Sequence, residues 1–83
     1  MEDSVPPDWT FAAALDARGL RCPLPVLKAR KALLALATGE RLFVEATDPM
    51  AAVDFPHFCS ESGHRLIASD KSGARLRFLI EKG

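Results

Sequence analysis

Charge of one sign is what this sequence lacks first: eleven basic residues are matched by eleven acidic ones, and the net charge is zero. A general nucleic-acid binder carries a basic excess, and one that grips single strands also needs aromatic platforms. The only aromatics are Trp9 and five phenylalanines, most of them at core positions by pattern, so direct nucleic-acid binding is not expected. Long apolar runs are missing as well. None approaches the roughly 18 residues that a membrane span requires. The opening segment 1–8 is acidic and has no apolar stretch, so it does not read as an export signal. A cytoplasmic location, where thiols stay reduced, is the expectation. Cysteine is scarce, with Cys22 and Cys59 alone. Neither has a partner at the CxxC spacing of a redox pair, and both are expected to be free.

At 83 residues the chain is one domain with a limited core and little room for a deep pocket. Chemistry must sit near the surface, and a second protein is needed to complete the site. Residues 1–9 read as a flexible tail and 10–83 as a single domain. Within it, 11–17 is a first strand, and 23–37 carries a helical pattern with Val26, Leu27, Leu33, Leu34 and Ala37 on its apolar face. Pro23 and Pro25 fit only the first turn of that helix, where a missing N–H forfeits nothing. Thr38-Gly39 ends it. Residues 41–47 alternate as a second strand.

Asp48-Pro49 reads as a cap followed by a proline at the first helical position. Pro56 argues for an irregular turn there, then a short helix over 56–62 stopped by Gly63. Segments 65–69 and 74–81 are strands joined by a 70–73 loop with Gly73. The order βαβαββ implies an α/β two-layer sandwich: two helices on one face of a four-stranded mixed sheet, with a right-handed parallel start and a terminal antiparallel hairpin. Phe43, Ile67 and Leu79 are then expected on the open face.

Cys22 falls at the N-cap of the first helix or beside it. The positive end of the helix dipole favours thiolate over thiol there. Arg18, Arg21, Lys28, Arg30 and Lys31 cluster around it, with no acidic residue from 17 to 39. The same cations can equally be a solvated helix face. The same cysteine can equally be a small buried hydrophobe at a strand–helix junction. Residue chemistry alone leaves both pairs open.

Leu15-Asp16 followed by Gly19-Leu20-Arg21-Cys22-Pro23-Leu24-Pro25 resembles the signature of the TusA/SirA family of sulfur carriers. Asp48-Pro49, Phe58-Cys59 and Gly63-His64 match that family in order, and the likeness runs from about Leu15 to the C-terminus. The resemblance implies a sulfurtransferase that works as a stoichiometric carrier, holding sulfane sulfur as a persulfide on Cys22. A cysteine desulfurase or other persulfide donor would supply it, and a downstream acceptor protein would receive it. Known destinations in the family include tRNA thiolation, molybdenum-cofactor enzymes and sulfur metabolism. On that reading Gly19, Arg21, Pro23 and Pro25 support the loop. Arg18, Lys28 and Lys31, with Arg21, stabilise the anion and steer acidic partners; no cofactor is expected.

Cys59 reads as a buried structural thiol. His64, after the helix-stopping Gly63, reads as an electrostatic cap on the helix C-terminus. A metal site drawn from Cys22, His57, Cys59 and His64 fits no common zinc spacing. The competing function is a non-catalytic regulatory module that uses the Cys22 loop as a docking site.

Overall fold

The computed structural model describes residues 9–83, and the segment 1–8 assigned to the tail lies outside the described residues. Six elements follow in the expected order: β1 (Ala13–Ala17), α1 (Leu24–Leu34), β2 (Arg41–Ala46), α2 (Ala51–Ser62), β3 (Arg65–Ser72) and β4 (Arg75–Glu81). The strands form one mixed sheet ordered β1-β2-β4-β3. β1 and β2 run parallel, while β4 lies antiparallel to both β2 and β3. Helix α1 covers β1 and β2, and α2 covers β3 and β4. The two-layer α/β sandwich expected from the sequence is what forms. No helix among the described residues is long and apolar enough to cross a membrane.

Strand alternation builds the core. Leu42, Val44 and Ala46 of β2 face the helices with Leu76, Phe78 and Ile80 of β4, and Ala29, Leu33, Ala51, Phe55, Phe58 and Cys59 close the layer from above. Phe55 stacks on Phe78 with ring centroids 4.6 Å apart. That packing carries α2 through Pro56. The irregular turn expected before residue 56 is instead the first turn and a half of a continuous helix. Ala51, Phe55, Phe58 and Cys59 lie at the spacing of one buried helix face, and their burial outweighs the single backbone hydrogen bond that Pro56 forfeits.

Helix α1 stops three residues earlier than its apolar pattern implies. The amides of Ala35 and Leu36 turn to carbonyls three residues back, Ala32 and Leu33, which tightens the last turn. Glu40 then accepts the Ala37 amide at 2.7 Å, and Lys82 Nζ donates to the Leu36 carbonyl at 2.6 Å. Strand β3 is longer than expected. It runs to Ser72, leaving Gly73-Ala74 as a two-residue turn in which Gly73 takes a φ of 61°. A register shift between Leu66 and Ala68 leaves Ile67 as the extra residue of a bulge.

The face away from the helices is not open at its centre. Phe43 and Leu79 pair across β2 and β4 and point that way, yet both are buried. Phe11 stacks on the Phe43 ring at 5.3 Å and Trp9 meets it edge-on at 6.0 Å. The chain before β1 therefore folds back as a strap. It also explains why the regular strand begins at Ala13 rather than residue 11. Glu45, next on that face, is fully buried beside the Arg75 guanidinium at 3.5 Å, and Arg77 stands opposite it in register.

Candidate functional site

The loop from β1 to α1 must reverse the chain over the edge of the sheet. Gly19 takes a φ of 78°, the left-handed region that favours glycine, and its amide donates to Thr47 Oγ1 at 2.9 Å. The Arg21 carbonyl accepts the Leu24 amide, and the Pro23 carbonyl accepts the Leu27 amide. Pro23 is the N-cap and Pro25 is buried in the first turn, so both prolines sit where a missing N–H is harmless. Cys22 is the residue before the cap, with an exposed side chain. Its amide donates to Asp48 Oδ2 at 2.7 Å, while Asp48 Oδ1 accepts the Met50 amide at 3.0 Å. One carboxylate thus ties the cysteine loop to the turn leading into α2.

The sulfur lies at the head of a groove of about 370 Å³ between the two helices. Its walls include Val26 and Arg30 from α1, and Asp54, His57, Phe58 and Glu61 from α2. Large apolar side chains stand exposed on the same two helices: Leu24 and Leu27 on α1, and Met50 and Val53 at the start of α2, the last 62 % accessible.

The fold works against the expected thiolate. The Asp54 carboxylate, as hydrogen-bond partner of the Cys22 thiol, pushes its pKa up, and desolvation and the Asp54 and Asp48 charges add to the effect. Asp54 shares the groove wall with Cys22 and Asp48 holds its amide, so two carboxylates reached through the fold act on the sulfur against the helix terminus. Arg18 is held by Asp16 in a two-pronged pair, Nε to Oδ1 at 2.8 Å and an Nη to Oδ2 at 2.9 Å. Arg21 acts on Asp48, helping to hold that carboxyl below its usual range after the Cys22 and Met50 amides. Lys28 and Lys31 are exposed on α1, and of the basic cluster only Arg30 lines the groove.

The remaining candidates separate. Cys59 is buried in the core, and desolvation pushes its thiol up to about 11. Gly63, with a φ of 76°, is the C-cap of α2, but His64 does not put a charge there. Its Nδ1 accepts the Gly83 amide at 3.1 Å, its ring rests near Phe58, and burial with the Lys82 charge lowers its pKa. A neutral acceptor takes the place of the expected cationic cap. His57 sits beside Glu61 at 3.3 Å on the groove wall. Cys22, His57, Cys59 and His64 do not share a site, and no group of three or more metal-ligating side chains occurs among the described residues. Asp54 and the second role of Asp48 were not foreseen. Both lie far from Cys22 in the chain, and the one available signal was the Asp-Pro pair at 48–49.

Comparison with known proteins agrees with this fold. The model of the family described as sulfurtransferase TusA matches residues 13–82. The sulfur carrier protein TusA of Allochromatium vinosum is 46% identical over 72 residues, spanning 87% of this chain and 95% of that protein. A crystal structure of a SirA-like protein from Desulfitobacterium hafniense superposes with a TM-score of 0.76 at 24% identity, covering 87% of this chain and 99% of its own, a likeness of fold. With the match spanning the whole sheet, both helices and the cysteine loop between β1 and α1, this chain belongs to the sulfurtransferase TusA family.

Proposed function

We propose that this protein is a sulfur carrier that takes sulfane sulfur as a persulfide on Cys22 and hands it to an acceptor protein. The observation that carries the reading is an exposed cysteine fixed by its own amide at the head of a groove between helices. A relay atom must reach two partners in turn, and this loop presents sulfur without enclosing it. Membership of a sulfurtransferase family and the carrier name of its relative support the same reading.

The chemistry needs no cofactor. Cys22 sulfur attacks the terminal sulfur of a donor persulfide, of the kind a cysteine desulfurase forms. The donor's S–S bond breaks, its electron pair leaves on the donor thiolate, and that thiolate takes up the proton Cys22 releases. The product is Cys22–S–SH. An acceptor cysteine then attacks the outer sulfur and returns Cys22 to the thiol. Cys59 plays no part, because desolvation holds it as an inert thiol inside the core. Gly19, Arg21, Pro23 and Pro25 set the loop. Lys28, Lys31 and Arg18 offer charge to a docking partner, alongside the exposed Leu24, Leu27, Met50 and Val53. Relay of this kind belongs in the cytoplasm, where thiols stay reduced.

Intact-mass spectrometry after incubation with cysteine and a cysteine desulfurase tests the proposal. The mass should rise by one sulfur atom in the wild type and in Cys59→Ser, and stay unchanged in Cys22→Ser. A Cys22→Ser protein that gains sulfur equally, or a wild type that gains none from several active desulfurases, overturns it. A docking module would instead keep its function in Cys22→Ala.

A further inference from the structure

The charges that the second half of the chain brings to Cys22 and its groove are carboxylates. Asp48 holds the Cys22 amide at 2.7 Å, and Asp54, on the wall of the same groove, accepts a hydrogen bond from the thiol. Glu61 stands on the same wall two turns further along α2, next to His57. The opposing charges are Arg30 from α1 and, on the cysteine's own loop, Arg21, which bears on Asp48. Two carboxylates therefore line the sulfur's groove and a third adjoins it, against one guanidinium lining it and one adjoining.

We propose that Asp54, across the groove from Cys22, is the positioning residue for its sulfur, and that the groove selects partners that bring positive charge to the sulfur. This inference rests on the relay reading above and deepens it by naming the partner's chemistry. A cationic side chain seated against Asp54 would compete for the carboxylate that now accepts the thiol's hydrogen bond. The proton would be freed as the sulfur attacks, and the leaving thiolate of the partner would take it up. An anionic partner group in the same place would meet repulsion and would leave the Cys22–Asp54 contact intact. The exposed lysines of α1 remain available for long-range steering, while carboxylates outnumber guanidiniums on the groove wall beside the reacting atom.

Two small disulfides of similar size test this without any relay protein. Cystamine is cationic at pH 7, and 3,3′-dithiodipropionate is anionic. In each reaction Cys22 sulfur attacks one disulfide sulfur, the S–S bond breaks, and a thiolate leaves with the electron pair. Intact mass follows the mixed disulfide on Cys22. The ratio of cationic to anionic rates, normalised to the same ratio for free cysteine, should fall by about threefold or more in Asp54→Asn, the scale of one unit charge about 6 Å away in a water-like medium. Asp54→Glu should restore it, and added salt should compress it in the wild type. In parallel, the pH midpoint of iodoacetamide alkylation should move down in Asp54→Asn and return in Asp54→Glu. An equal rate ratio in wild type and Asp54→Asn, or a Glu variant that fails to restore it, overturns the proposal. Neither outcome depends on sulfane-sulfur loading, so failure here and failure of the relay reading are distinguishable.

Discussion

At the scale of single residues, His64 shows how a fold can reverse a role that local sequence suggests. Its position after Gly63 suits a cation at a helix end, but its Nδ1 accepts the Gly83 amide and Lys82 stands close by. Protonation would remove that acceptor and set two positive charges together. Because its folded-state pKa lies below the ordinary 6.5, the unfolded chain binds this proton more readily than the native one does. The stabilisation is therefore complete above about pH 6.5 and fades as pH falls through the depressed value. Urea titrations should show the midpoint falling between pH 7.5 and 5 in the wild type. His64→Gln, which can still accept from the Gly83 amide, should flatten that part of the profile; parallel curves would remove His64 from the account. Cys22 teaches the same lesson. Its place before the helix was legible from Gly19, Cys22, Pro23 and Pro25, since glycine and proline constrain the backbone locally, whereas residue chemistry left its exposure open. The carboxylates that act on it were not legible, because Asp48 and Asp54 arrive only when the second half of the chain packs against the first.

At the scale of elements, local chemistry marked where each helix and strand exists more reliably than where it ends. Alternation in Leu76, Phe78 and Ile80 gave β4 its buried face directly, whereas the end of α1 depends on Glu40 and Lys82 reaching back from other segments. Pro56 is the sharpest case. A proline suggests a break, yet α2 runs unbroken around it because Phe55, Phe58 and Cys59 are buried on one face. The ring removes the amide that would donate to the Ala52 carbonyl, and it sits on an exposed part of the helix. Pro56→Ala regains that bond and relieves the clash with the preceding turn, worth about 3 kcal/mol in a regular helix interior. The freer unfolded chain takes back about 0.4–1 kcal/mol. A net gain of about 2–2.6 kcal/mol should appear as a higher denaturation midpoint with an unchanged slope. An unchanged or lower midpoint would mean that the ring contributes packing against the β3–β4 end of the sheet.

At the scale of the whole molecule, a sandwich with helices on one side leaves a sheet face that something must cover. Here part of that cover comes from the chain just before β1, in a stretch outside the family match to residues 13–82. Alternation placed Phe43 and Leu79 on that face correctly, but nothing local showed that Trp9 and Phe11 would return to it. Phe43 is wholly buried, flanked by Trp9 and Phe11, and a domain this small has few other apolar layers to draw on. If the strap belongs to the cooperative fold, Trp9→Ala with Phe11→Ala should lower stability by about 2–3 kcal/mol, the scale of re-exposing one large buried ring and parts of two others. Trp9 is the sole tryptophan, so its emission reports on the strap without interference. In the wild type its red shift on adding urea should coincide with the loss of helical circular dichroism, as a single two-state transition requires. A fluorescence change that comes well before the loss of helix would show the strap peeling away on its own. In that event the double variant should retain nearly the full stability of the sandwich, and Phe43 would be an exposed apolar patch held only loosely out of water.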